Sequence, residues 1–194
     1  MHAFEDIETL TAALRDLGGL LAERDIAVEL CIVGGAAFLM QEPTRFHSTM
    51  DIDVAARVTD DGELTATDAP PDAVVTAANE LADRHGLRAG WINGAMARSF
   101  GVILPQGFLE RASQKQFGSL LIHVAARDDL IKLKLLASMR RGPQGRRHRD
   151  DLRRAGPTSA ELAGAVAWVL AREPDPDSIR DRVMAIADEL EGKA

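Results

Sequence analysis

The 194-residue chain is the length of one domain, or of one domain with a small appended lobe, and its 46 % hydrophobic and 27 % charged residues are the balance of an ordinary globular protein. The longest apolar run, residues 31–40, is too short to span a bilayer. The early acidic N-terminus lacks the basic start of a secretory signal, and one cysteine excludes both an intramolecular disulfide framework and a cysteine zinc cage. A cytoplasmic protein without membrane attachment is expected, and a net charge of −7 argues, on its face, against a nucleic-acid partner.

In chain order, Ile7, Leu10, Leu14, Leu17, Leu20 and Leu21 recur at helical spacing, which predicts an amphipathic first helix over residues 5–24. Residues 27–33 read as a buried strand. Gly34-Gly35 breaks it, and a short helix over 36–41 follows, stopped by Pro43. Residues 50–55 read as a second strand. Residues 58–71 are polar, acidic and turn-rich, which predicts a flexible loop. Pro71 or Asp72 opens a helix that runs to about His85, with Gly86 as its stop.

Residues 87–118 carry the weakest pattern, with Trp91-Ile92-Asn93 and residues 100–104 as short extended pieces. Residues 119–125 form a clear strand. Asp128 or Asp129 then caps a long helix to about Arg141, residues 142–147 read as a turn, and a further helix holds Asp150 and Arg154. Two more helices cover 159–171 and 178–190. Few strands among many helices predict an α+β or α/β fold. The expected division is a core over 1–126 and a helical C-terminal lobe over 127–194.

The net charge hides a strong polarity. Between Arg127 and Arg154 stand ten basic and four acidic side chains, a local +6 against −13 in the other 166 residues. A solvated basic helix end explains this stretch. So does a contact with polyphosphate or RNA, and eight of the ten are arginines, whose planar fork suits phosphate. Any RNA contact is then confined to the face carrying this stretch and weakens steeply with salt.

The chemistry centres on Gly34-Gly35 and Asp51-Ile52-Asp53. Side chains alternate along a strand, so Asp51 and Asp53 point one way while Ile52 and Val54 point into the core. Adjacent carboxylates repel unless a cation or proton sits between them, and this suggests a Mg²⁺ (or Mn²⁺) site. Glycines at a strand end let backbone N–H groups approach phosphate oxygens at a helix start. A surface strand that merely ends in acids remains the alternative.

The helix after Asp129 is apolar nearly all round, so it is expected to be largely buried. Lys134, Ser138 and Arg141 share one stripe of it, and Lys134 is read either as a snorkelling side chain or, with the acidic pair, as a triphosphate ligand.

Strand, Gly-Gly, helix, then a strand with Asp-x-Asp together resemble the minimal signature of the DNA polymerase β-like nucleotidyltransferase superfamily. The run from Asp129 to Ala137, then Arg140 and Arg149-Asp150-Asp151-Leu152, resembles the helical pattern of its AbiE-type and MenT-type toxin branch. Trp91-Ile92-Asn93 and Leu104-Pro105-Gln106-Gly107 also resemble the small relatives of that branch. The resemblance covers roughly residues 5–155.

It implies a nucleotidyltransferase-like α+β fold: a small mixed sheet flanked by helices, with a helical C-terminal lobe. It also implies Mg²⁺-dependent transfer of a nucleoside monophosphate from an NTP to the tRNA 3′ end, blocking translation, with a cognate antitoxin protein as partner. In that reading Asp51 and Asp53 hold metal, and Gly34, Gly35 and Ser48 contact phosphate. Lys134, Arg140 and Arg141 neutralise the triphosphate, and Asp151, or its neighbour Asp150, is the third acid. Arg146, Arg147 and Arg149 guide RNA.

Two departures bear on this. Gly35 stands where many nucleotidyltransferases have serine, and the strand over 119–125 offers His123 but no carboxylate. An antibiotic-type transferase acting on a small molecule, and a catalytically degenerate nucleotide- or protein-binding module, are the alternative readings. Arg45 and His47 are further candidates for base or phosphate contact, while Cys31, Trp91 and Trp168 read as packing residues.

Overall fold

Asp6 starts the first helix because its carboxylate accepts the Thr9 backbone N–H at 2.7 Å, while the Asp6 N–H donates to the Thr9 hydroxyl. In the computed structural model, which describes residues 4–59, 61–66, 69–94 and 104–192, this helix (α1) spans Ile7–Glu23. Leu10, Ala13, Leu14, Leu17, Gly18 and Leu21 are its buried face, the stripe that the apolar spacing predicts. The chain divides into two compact units, Met1–Ala126 and Arg127–Ala194. Among the described residues no helix is long and apolar enough to cross a membrane.

The first unit is built on a six-stranded mixed sheet. Its elements are β1 (Val28–Val33), α2 (Gly34–Gln41), β2 (Ile52–Val58), β3 (Leu64–Ala66), α3 (Asp72–Ala82), β4 (Ile92–Asn93), α4 (Phe108–Arg111), β5 (Ser113–Phe117) and β6 (Leu120–Val124). The strand order is β3-β2-β1-β6-β5, and β4 also pairs with β2. The central strand β1 runs antiparallel to β2 and parallel to β6, with Val33 opposite Asp53 and Ile32 opposite Val124. Its four last residues are all buried, as a run of Leu30, Cys31, Ile32 and Val33 in a central strand requires. Gly18 lets α1 lie on the β5–β6 turn, since a Cβ there would stand 1.6 Å from the Phe117 carbonyl oxygen.

The structure departs from the expectations at several places. The second strand begins at Ile52 and extends to Val58, because pairing with β1 and β3 carries it past the apolar residues. The segment 58–71 holds β3, closed into a hairpin by Thr59, whose backbone N–H donates to the Glu63 carbonyl at 2.9 Å. Residues 87–118 contain α4 and β5; β5 is a polar edge strand with four of its five residues exposed, so no apolar period marks it. The extended piece expected over 100–104 falls mostly on residues outside those described; the one at Ile92 and Asn93 is β4.

The second unit is helical: α5 (Arg127–Ser138), α6 (Pro143–Ala155), α7 (Ser159–Leu170) and α8 (Asp177–Leu190). Ile131, Leu135, Leu152, Ala165, Val166, Val169, Val183, Ile186 and Ala187 form its core. The helix α5 ends at Ser138, short of the expected Arg141, and the expected turn over 142–147 is already the first turn of α6. Pro143 opens α6 with φ preset and no N–H to satisfy. Arg127 locks the helix ends together, donating to Glu161 at 2.7 Å and to the Ala155 carbonyl at 2.9 Å. Burial works against the charge on Glu161, but Arg127 and Thr158 outweigh it and hold its carboxyl below the ordinary range.

Candidate active site

The strand β1 delivers Gly34 and Gly35 directly opposite the start of β2. Gly34 has φ +71°, a left-handed conformation that favours glycine, and a Cβ on it would stand 2.4 Å from Asp53 Oδ2. A Cβ on Gly35 would stand 2.7 Å from Thr49 Oγ1. The two missing side chains are therefore the space in which Asp53 and Thr49 sit. Both glycines belong to the first turn of α2, whose cap residue Val33 makes no side-chain hydrogen bond to it. The backbone N–H groups of that turn are an anion-facing helix start beside a carboxylate.

Asp51 precedes β2 by one residue. Burial alternates through Asp51, Ile52, Asp53 and Val54, the two acids half-buried and the two aliphatics buried. Each side of Asp51 is anchored. Thr49 exchanges two backbone hydrogen bonds with Phe4, at 2.6 and 2.9 Å, and its hydroxyl donates to the Asp51 carbonyl at 3.1 Å. The Ile52 N–H donates to the Trp91 carbonyl at 2.7 Å. Trp91 is buried edge-on against Phe4, and its indole N–H donates to the Ala78 carbonyl at 2.8 Å, which confirms it as a packing residue.

The carboxylate of Asp51 has partners that sequence reasoning missed. Arg88 Nη2 lies 2.6 Å from Asp51 Oδ2, and Asn93 Nδ2 donates to the same oxygen at 3.5 Å. Asn93 is the register partner of Asp53 in the parallel β2–β4 pair. Nothing in the local sequence around Arg88 signals this, since the partners are 37 positions apart.

Among the described residues no three histidine, cysteine, aspartate or glutamate side chains cluster as a metal cage. Asp51 and Asp53 are hard oxygen donors, and the bare Cα of Gly34 leaves the Asp53 carboxylate room at the head of α2. The donor set fits Mg²⁺ or Mn²⁺ carried with phosphate better than it fits a dedicated protein cage.

The second unit holds its own polar cluster. Lys134, 8 % exposed, lies on α5 and places Nζ 2.5 Å from Asp151 Oδ2 on α6. His148, one turn before Asp151, has a buried Nδ1 with no hydrogen-bond partner. Burial, then the charge of Lys134, pushes its pKa down to about 4, with Asp151 opposing and Arg147 and Arg140 adding to the fall. Asp150 is exposed and pairs with Arg153 at 2.5 Å, so of the two candidate acids Asp151 is the one that meets Lys134.

The remaining candidates are placed as follows. Ser48 and His47 are exposed, and Arg45 is an exposed partner of Glu42 at 3.6 Å. Ser138 is buried and donates to the Leu135 carbonyl, so it is no part of an open stripe with Lys134. Arg140 donates to Gln144 at 3.1 Å, while Arg141, Arg146 and Arg147 are exposed. Arg149 is half-buried and donates to the Ser138 carbonyl at 3.3 Å, tying α6 to the end of α5. His123 is buried, with Nε2 2.9 Å from Glu29. Burial pushes the Cys31 thiol up to about 12, with Glu29 adding to the rise, so it is an inert core residue. Trp168 carries Arg172 over its ring at 4.6 Å.

A family model described as a nucleotidyltransferase of unknown function (DUF6036) matches residues 8–148. No curated protein and no solved structure matches the chain.

Proposed function

The chain belongs to this nucleotidyltransferase family and has a nucleotidyltransferase-like α+β fold, and from that premise we propose that it transfers a nucleoside monophosphate from an NTP to the 3′ end of a tRNA, as the toxin of a toxin–antitoxin pair. The observation that carries the reading is Asp53 Oδ2 standing over Gly34 at the head of α2, with Asp51 two residues earlier.

In this reading Asp51 and Asp53 hold Mg²⁺ or Mn²⁺. When bound, such a cation supplies Lewis-acid stabilisation of charge on the α-phosphate and on the attacking oxygen. The N–H groups of Gly34 and Gly35 bind the β- and γ-phosphates, with Ser48 as a further hydroxyl donor. Lys134 and, beside it in sequence, Arg140 and Arg141 neutralise the triphosphate. An ammonium has three N–H donors, so Lys134 keeps Asp151 as one partner while it binds phosphate through another. Asp151 thereby positions Lys134 and orients the acceptor hydroxyl.

RNA as the acceptor is supported by the basic character of α6, where Arg146 and Arg147 are exposed and the helix ends in Arg153 and Arg154. An antitoxin encoded beside this chain is the partner this reading expects. A second reading, a non-catalytic binding module, is favoured by one observation, the Arg88 guanidinium on Asp51.

The test is incubation of the protein with total cell RNA, Mg²⁺ and each α-labelled NTP in turn. Wild type should label a band of tRNA size with at least one NTP, and Asp53→Ala should not. If no NTP labels RNA, or if Asp53→Ala labels it as well as wild type does, the reading fails.

A further inference from the structure

The acidic pair of the first unit already carries a counter-ion from its own chain. Arg88 stands in the connection between α3 and β4, its side chain 40 % exposed, and its guanidinium lies 2.6 Å from Asp51 Oδ2. That oxygen also receives Asn93, which is held independently by the Gly90 carbonyl at 3.3 Å and by its register with Asp53. Asn93 is therefore fixed in place, whereas Arg88 reaches the same oxygen on a long, partly exposed side chain.

A half-exposed ion pair of this kind contributes little to stability. Its position gives it another consequence. A guanidinium and a divalent cation cannot use the same carboxylate oxygen without strong mutual repulsion. A cation that takes Asp51 Oδ2 must therefore displace Arg88, and the partly exposed side chain can leave by rotation of its stem. The released group is a planar fork of five N–H donors suited to bidentate contact with phosphate. A cation that arrives bridged to a triphosphate brings phosphate oxygens to that fork.

We propose that Arg88 is an internal counter-ion that competes with the divalent cation for Asp51 Oδ2 and, once displaced, becomes a ligand of the cation's triphosphate. The inference rests on the reading of Asp51 and Asp53 as the metal site. It couples the two ligands: metal alone must expel a guanidinium into water, whereas the metal–triphosphate complex gives that guanidinium a new partner. Coupling of this kind is reciprocal, so each ligand strengthens the other by the same factor.

The experiment is titration calorimetry with Mn²⁺ alone and with preformed Mn²⁺–tripolyphosphate, on wild type, Arg88→Gln, Arg88→Lys and Asp53→Asn. Wild type should bind the complex at least about tenfold more tightly than Mn²⁺ alone. Arg88→Gln should bind Mn²⁺ alone about tenfold more tightly than wild type and should lose most of the preference for the complex. Arg88→Lys keeps a charge on Asp51 and should retain weak binding of Mn²⁺ alone. Mn²⁺ affinity that is the same in Arg88→Gln and wild type, while Asp53→Asn abolishes it, overturns the role of Arg88 and leaves the metal site standing. An isotherm unchanged by Asp53→Asn overturns the metal site and this inference with it.

Discussion

Lys134 on α5 and Asp151 on α6 form a largely buried ion pair, Nζ to Oδ2 at 2.5 Å, with side-chain exposures of 10 % and 21 %. Removing one partner leaves the other charge in a poorly solvated place. Partial exposure of Asp151 reduces the penalty, so Lys134→Met should cost about 2 kcal/mol of stability in urea unfolding, below the usual cost for a fully buried pair. The double variant Lys134→Met/Asp151→Asn should be less destabilised than the sum of the single changes. Simple additivity would mean that the two side chains do not depend on each other.

His148 sets a pH dependence in the second unit. Its pKa is about 4 in the folded chain against an ordinary 6.5, because burial and the charge of Lys134 disfavour the imidazolium. Between those values the unfolded chain takes up a proton that the folded chain does not. Stability therefore falls as pH drops from about 6.5 to 4, and above 6.5 this residue adds no slope. His148→Gln should flatten the acid limb of a plot of melting temperature against pH. An equally steep limb in that variant would rule out His148 as its source.

Thr49 and Gly35 are predicted to be coupled through space. A Cβ at residue 35 would press on Thr49 Oγ1 at 2.7 Å, so Gly35→Ala should cost about 1–3 kcal/mol and shift the segment that carries Asp51. Thr49→Ala should relieve part of that cost in the Gly35→Ala background, while Thr49→Ser, which keeps the oxygen, should not. Equal behaviour of the alanine and serine variants in a thermal-melt comparison would contradict the contact.

The Thr49 contact also bears on the Gly-Gly motif. Serine at position 35, the residue many nucleotidyltransferases use, would meet Thr49 Oγ1 in this chain. A hydroxyl is thus present beside the first turn of α2, but it comes from the loop before β2. Sequence comparison registers only the missing serine, because Thr49 is 14 positions away and pairs with Phe4 near the other end of the unit.

Several elements were legible because their signals are local. The apolar stripe of α1, the buried run of β1 and the apolar pattern of β6 all lie within a few residues of what they specify. The alternation of Asp51, Ile52, Asp53 and Val54 is equally local. The edge strands β3 and β5 were not legible. They are short, polar and exposed, and they hold their conformation through hydrogen bonds to β2 and β6 rather than through any burial pattern of their own.

The sequence by itself determined the main helices, the strands β1, β2 and β6, the Gly-Gly bend and an acidic pair at the start of β2, since backbone propensity and side-chain periodicity act over single turns and pleats. Only the tertiary structure decided which cation each acid meets. Arg88 reaches Asp51 across 37 positions and Lys134 reaches Asp151 across 17. Those pairings depend on strand register and helix packing, which bring charges together that no local pattern relates. Net charge is uninformative about any one surface for the same reason: Coulomb energy follows distance in the folded chain, and a total over the sequence carries no distances.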